Sequence, residues 1–255
     1  MIYQQNQQGA IKLYYFDSYG RGEPIRMIFY NQKVPFEDIR LTWGDFKNLR
    51  EQEKFEFKQV PVLELQNGKC YAQSQAIMRM MGRAFGLYPI ADKDAQEAQN
   101  QLSQDEIQKW NNMSVEEKKN QRIKAIKEGY EIDSILQANS DLIDQNWWLE
   151  IEKSSTIKER MMDQYIIDLN DYFKGVNGRL EKLSEDAKFI VGNRLTIADF
   201  DAGSLGYTLW LNPNNKFYEL HQKEIQMYPR LIKYYQDFRE QFIDYFNNRN
   251  SKLPY

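Results

Sequence analysis

Between residues 11 and 89, short β-type runs and helical patterns alternate in the order βαβαββα, and few folds accept that order in about 75 residues. Ile11 to Phe16 is a β-branched and aromatic run that ends in Asp17-Ser18-Tyr19-Gly20, the pattern of a strand running into a loop. Glu23-Pro24 then gives the acid and proline of a first helical turn, and Ile25, Ile28 and Phe29 form an apolar face at helical spacing. Val34 to Leu41 alternates as a second strand, and Trp43 to Arg50 can form a short helix. Val60 to Leu65 is a third strand with Pro61 near its start, where a missing N–H costs no ladder bond. Asn67-Gly68 marks a tight turn into Lys69 to Ala72. From Ser74, the expected N-cap, Ile77, Met78, Met81, Ala84 and Phe85 line one helical face. One half carries a crossover helix and the other a hairpin, which together suit a small mixed sheet covered by helices.

Leu87 to Asp94, with Tyr88-Pro89, reads as a linker, and strand signals fade after it. Lys158 to Leu183 is one long amphipathic stretch, with Met161, Met162, Tyr165, Ile166, Leu169, Tyr172 and Phe173 repeating at three and four as core positions. Thr196-Ile197-Ala198-Asp199 has the form of a capping box, and Pro229 is placed to open the last helix. Residues 110–156 are polar, with Trp110, Trp147 and Trp148 interspersed, and read as an insertion of undefined form. The expected organisation is a flexible Gln/Asn-rich tail at 1–10, an α/β domain at 11–89 and a helical domain at 90–255. A chain of 255 residues can bury a core in each.

The formal charge is −3 and neither sign forms a long run, so nucleic acid is not an expected partner. Cys70 is the sole cysteine and His221 the sole histidine, which removes an intramolecular disulfide and makes a His-dependent nucleophile or metal centre hard to build. His221 and Cys70 both read as structural. No run of about 18 apolar residues exists to form a membrane span, and the tail lacks the character of a signal peptide, so a cytoplasmic protein is expected.

A strand-end tyrosine by itself is more often a packing residue than a catalytic one. Here it has company. Lys12-Leu13-Tyr14-Tyr15-Phe16-Asp17-Ser18-Tyr19-Gly20-Arg21-Gly22-Glu23-Pro24-Ile25-Arg26 resembles the opening of the tyrosine-type cytosolic glutathione S-transferases, nearest the sigma class, with mu, pi and alpha relatives. Thr42-Trp43-Gly44-Asp45-Phe46-Lys47, Lys58-Gln59-Val60-Pro61 and Gln73-Ser74 match further motifs of that family in order and spacing, as do Val191-Gly192-Asn193 and Thr196 to Asp199. The resemblance implies a thioredoxin-like α/β N-terminal domain followed by an all-α C-terminal domain. It implies glutathione as cosubstrate with no further cofactor and no metal, a small apolar electrophile as acceptor, and a homodimer. It assigns catalysis to Tyr15 and glutathione binding to Trp43, Lys47, Gln59, Val60, a cis Pro61, Gln73 and Ser74. Transferase chemistry is the expectation, with isomerase or peroxidase activity in reach of the same site. The alternative is a non-catalytic binding or structural subunit of a larger assembly.

The chemistry suits those residue types. A neutral tyrosine O–H aimed at the glutathione sulfur favours thiolate over thiol. A helix N-terminus and the Ser74 hydroxyl suit one carboxylate of the peptide, and Lys47 and the Trp43 indole N–H suit the other. Two positions depart from the pattern. Tyr19 stands where the family usually carries arginine, and an Asp expected early in the first helix of the second domain falls on Gln101, with Asp105 one turn on.

Overall fold

In a computed structural model, residues 9–91, 93, 102–249 and 253 are described. Most of the tail expected at 1–10 lies outside them, as does Gln101. The N-terminal part is a four-stranded mixed sheet in the order β2-β1-β3-β4, made of β1 (Lys12–Phe16), β2 (Glu37–Leu41), β3 (Val62–Glu64) and β4 (Cys70–Ala72). β1 pairs in parallel with β2 and antiparallel with β3, and β3 pairs antiparallel with β4.

Two strands start later than expected. β2 begins at Glu37 rather than Val34, and β3 at Val62 rather than Val60. In each case a proline, Pro35 or Pro61, sits just upstream and has no N–H for the ladder. The Val34 N–H instead closes the preceding helix by donating to the Phe29 carbonyl at 3.0 Å.

Three helices cover the sheet: α1 (Glu23–Asn31), α2 (Trp43–Glu51) and α3 (Ser74–Ala84). Pro24 lies in the first turn of α1, and Ile25, Ile28 and Phe29 are buried against the main core. A smaller core of Tyr14, Leu41, Phe46, Phe55 and Val62 lies under α2 on the other face. One expectation is corrected at α3, whose N-cap is Gln73 and whose first residue is Ser74. The chain leaves β4 through a positive φ at Gln73, 71°, so the break from extended to helical backbone falls one residue earlier than the side-chain pattern indicated.

The rest is helical: α4 (Gln104–Asn111), α5 (Val115–Ile151), α6 (Ser155–Glu181), α7 (Ile197–Gly206), α8 (Tyr218–Ile225), α9 (Pro229–Gln241) and α10 (Ile243–Asn248). The stretch expected as an insertion without defined form is mainly α5, a single helix of 37 residues. Ile132, Ile135, Leu136, Leu142 and Leu149 bury one face of it in the main core, so its second half is a core helix. Its start is set locally by Ser114 and Glu117, and that of α4 by Ser103 and Glu106, both as reciprocal capping boxes. In α7, Asp199 accepts from the Thr196 N–H at 2.8 Å and from the Ile190 N–H at 2.7 Å. That carboxylate fastens the loop before α7 to the helix start. Ile197 N–H donates to the Leu87 carbonyl at 3.1 Å, which ties α7 to the end of the N-terminal part.

Candidate functional site

The ladder registers bring four strand ends to one edge of the sheet. Tyr15 and Phe16 close β1 beside Arg40 and Leu41 of the parallel β2, so Trp43 follows at the same edge. Tyr14 faces Val62 at the start of the antiparallel β3, and Val62 faces Ala72 at the end of β4. Pro61 and Gln73 therefore emerge at that edge as well. The Val60–Pro61 bond is cis.

Strand alternation separates the two adjacent tyrosines. Tyr14 goes to the α2 side, where its hydroxyl donates to Glu64 Oε2 at 3.0 Å and accepts from Lys54 Nζ at 2.9 Å. Tyr15 goes to the other side, beneath the 3-10 turn Gly20–Gly22, and is 9% exposed. Its hydroxyl oxygen accepts the Arg21 backbone N–H at 3.0 Å. Burial pushes the phenol above its usual pKa, partly offset by that N–H and by the guanidinium charges of Arg21 and Arg26. Tyr15 therefore stays protonated at neutral pH. With one acceptor position filled by backbone, its single proton is the group left to donate.

Gly20 and Gly22 make this contact possible. A Cβ on Gly20 would lie 2.5 Å from the Tyr15 hydroxyl, and one on Gly22 would lie 2.7 Å from Tyr15 Cδ1. The φ of Gly20 is also positive, +38°. The turn thus lies flat on the phenol ring because two of its three residues lack side chains. Arg21 between them reaches away to α5, donating to the Ser140 hydroxyl at 2.8 Å and pairing with Asp144 at 2.7 Å.

Ser74, 8% exposed, opens α3 and lines a small cavity with Arg21, Gln75, Leu136, Ser140, Ile143 and Asp201. The turn over Tyr15 and the N-terminus of α3 are thus neighbours. Gln73 is exposed, and its positive φ places it among the sparsely populated backbone states that cluster at ligand sites. Trp43, 68% exposed, stacks on Phe16 with ring centroids 5.8 Å apart, and Lys47 is exposed one turn along α2. Gln59 is exposed and Val60 half-buried.

Asp105 is exposed on α4, whereas side chains of α3 reach α5. Arg79 of α3 pairs with Asp133 of α5 at 2.8 Å, and Gln75 donates to the Leu136 carbonyl at 2.9 Å. Tyr19 is buried, and a guanidinium does lie against it: Arg249, from the end of α10, sits 4.0 Å over its ring. Asp201 is a further residue that sequence reasoning missed. It is buried, accepts from Asn139 Nδ2 at 2.7 Å, and is pushed up to about 7 by burial. No local pattern marks either residue, since their partners lie on remote elements.

His221 is buried and shares a 2.7 Å hydrogen bond with Tyr165, and burial lowers it to about 4, so it is a neutral core residue. Burial raises the half-buried Cys70 thiol, away from thiolate reactivity. Among the described residues no group of His, Cys, Asp and Glu is placed to hold a metal ion. No described helix is long and apolar enough to cross a membrane.

No protein-family model matches the chain. Over 76 residues, 30% of this chain and 35% of the relative, it is 49% identical to glutathione S-transferase 1 of Ascaris suum. It is 28% identical to glutathione S-transferase 2 of Manduca sexta over 193 residues, 74% of each protein. The chain thus matches about a third of the length of the first of these relatives. Among solved structures, the glutathione S-transferase of Ascaris lumbricoides aligns with a TM-score of 0.67 at 24% identity, covering 96% of this chain and all of that one. Monomeric Na-GST-3, a glutathione S-transferase of Necator americanus, aligns with a TM-score of 0.67 at 21% identity, covering 94% of this chain and 98% of that one. Those likenesses establish the fold over nearly the whole chain.

Proposed function

We propose that this chain, a relative of the cytosolic glutathione S-transferases in sequence and built on their fold, binds glutathione at the converged strand ends and conjugates the whole peptide, through its thiolate sulfur, to a small apolar electrophile that either loses a leaving group or undergoes addition across an activated double bond. The observation that carries this reading is the Tyr15 hydroxyl, buried at that edge with its oxygen on the Arg21 N–H at 3.0 Å and its proton left to donate. A donor so placed stabilises the sulfur as thiolate and raises the amount of nucleophile at neutral pH. Tyr15 acts through its hydrogen bond and forms no covalent intermediate.

The remaining assignments follow the resemblance. The N-terminus of α3, with Gln73 and Ser74, takes the γ-glutamyl carboxylate, where backbone N–H groups and the positive dipole end converge. Trp43 and Lys47 take the glycine carboxylate, and the backbone at Val60, beside Gln59 and Pro61, pairs with the cysteinyl part. Residues 11–89 act as the glutathione domain and the helical part supplies the acceptor wall. Glutathione is a cosubstrate consumed in the reaction, and the proposal includes no resident cofactor. The acceptor is an apolar electrophile of the kind cleared in detoxification, met in the cytoplasm. We also propose a homodimer; the name of the Necator structure describes a monomer, so sedimentation at micromolar concentration decides the point.

Incubation with glutathione and an aromatic halide tests the reading, followed by the appearance of the thioether conjugate. Conjugation above the uncatalysed rate is expected. Glutathione binding without turnover of any halide, α,β-unsaturated carbonyl or hydroperoxide would overturn it in favour of a binding module.

A further inference from the structure

The turn that hands its N–H to Tyr15 is gripped from two sides. On the inner side Arg26 donates to the Ser18 carbonyl at 2.9 Å, the Tyr19 carbonyl at 3.2 Å and Glu23 Oε2 at 3.2 Å. On the outer side Arg249 reaches back from the end of α10. Its Nη1 donates to Glu23 Oε1 at 2.9 Å and its Nη2 to the Tyr207 carbonyl at 2.9 Å. Its guanidinium lies 4.0 Å over the Tyr19 ring and 4.6 Å over that of Phe246.

The two residues that Arg249 holds are the two ends of the turn. The Glu23 N–H closes it on the Tyr19 carbonyl at 2.9 Å, and Gly20, Arg21 and Gly22 lie between. Glu23 is 1% exposed, and burying a charged side chain costs free energy unless opposite charge lies against it, here Arg26 and Arg249. The contacts of Arg249 are with Glu23, Tyr207, Tyr19 and Phe246, while the charges that act most on the Tyr15 phenol are Arg21, Arg26 and Asp144. The influence of Arg249 on the hydroxyl passes through the position of the turn. That position has little slack, because there is no room for even a Cβ between Gly20 or Gly22 and the phenol.

We infer that Arg249 is a positioning residue for the thiolate-stabilising hydroxyl: by pinning Tyr19 and Glu23 it keeps the Arg21 N–H on the Tyr15 oxygen. The inference rests on the reading of Tyr15 proposed above and adds a control element that lies 226 residues from Glu23 in sequence. A guanidinium is needed for both tasks, since its flat face covers the Tyr19 ring while its edge serves Glu23 and Tyr207.

The test compares the wild-type chain with Arg249→Met, Arg249→Lys and Tyr15→Phe. It follows the pH titration of bound glutathione by the ultraviolet absorbance of its thiolate, with glutathione affinity by calorimetry and melting temperature alongside. Arg249→Met is expected to raise the thiol pKa by about 0.5–1 unit, which lowers turnover roughly three- to tenfold below that pKa and is recovered at higher pH. Glutathione affinity measured at a pH below the bound thiol's pKa should stay within about twofold, because the groups that hold the peptide are untouched and the thiolate contributes little there. Arg249→Lys should recover part of the shift, since the ammonium keeps the charge on Glu23 and loses the flat face. A folded Arg249→Met with an unchanged thiol pKa, or with an equal loss of rate at every pH, would overturn the inference. Should that variant not fold, an unchanged pKa in Arg249→Lys would overturn it instead. A wild-type titration that differs from Tyr15→Phe while the Arg249 variants match wild type removes this inference alone. No thiolate signal in the wild type removes the Tyr15 reading and the inference together.

Discussion

The Arg21 backbone N–H and the Tyr15 hydroxyl oxygen lie 3.0 Å apart, although the turn that joins them belongs to neither the sheet nor α1. This pairing determines how the phenol can be used. A hydroxyl has one proton and two lone pairs, and once a main-chain donor occupies the oxygen, the proton is available to a second group. Burial adds to the effect by keeping the phenol neutral.

Removal of that proton by Tyr15→Phe should lower turnover by an order of magnitude or more, with little change in glutathione affinity, because the ring still fills its place under the turn. Steady-state kinetics and calorimetric titration check this. Equal turnover in the variant would assign the chemistry elsewhere.

Gly22→Ala places a Cβ 2.7 Å from Tyr15 Cδ1 and 2.9 Å from Cγ. Overpacking of this kind costs about 1–3 kcal/mol, and the phenol or the turn must shift to relieve it. Turnover should fall at least about tenfold with a lower melting temperature. A variant that keeps both rate and stability would mean that the ring and turn have more freedom than their contact implies.

Ser74→Ala deletes a hydroxyl at the opening of α3. If that hydroxyl serves a carboxylate, its loss costs about 1.5–3 kcal/mol, which weakens glutathione binding roughly tenfold or more. Calorimetry reads the change directly, and an unaltered dissociation constant would move the γ-glutamyl group away from this helix.

Asp201 gives a prediction about stability. Burial raises it to about 7, above the usual value near 4, with Asn139 Nδ2 as its partner. Below about pH 4 it is protonated in both folded and unfolded chain. Between about pH 4 and 7 the folded state holds a proton that the unfolded chain releases, so this group makes stability fall as pH rises through that window. The neutral amide of Asp201→Asn removes the slope. At 1.36 kcal/mol per unit the effect is on the order of 3–4 kcal/mol at most. Urea unfolding at pH 5 and pH 8 should therefore show a smaller loss of stability in the variant than in the wild type. Asp199, raised to about 6 by its own burial, leaves a residual slope in both. Identical losses would mean that Asp201 titrates as an ordinary carboxylate.

Features carried by a few adjacent residues were legible in the sequence. Pro24 and Pro229 lie in the first turns of their helices, Asn67-Gly68 joins β3 to β4, and Asp199 caps α7. The strand at Lys12–Phe16 was legible as well, and its period of two sends Tyr14 and Tyr15 to opposite faces. The Ser103 and Ser114 capping boxes were present in the same local form, and could have marked α4 and, within the polar stretch, the start of α5.

The sequence by itself thus determined the kind and order of the elements, because capping, proline geometry and side-chain alternation act over one to four residues. The tertiary structure decided what those elements bring together. Parallel pairing of β1 with β2 and antiparallel pairing of β1 with β3 carry Tyr15, Trp43, Pro61 and Gln73 to one edge, and the register of strands that far apart leaves no local mark. The grip of Arg249 on Glu23 and the burial of Asp201 against Asn139 are likewise contacts between remote segments. Their energies come from desolvation and charge pairing, which exist only once the helices have closed over the sheet and excluded water.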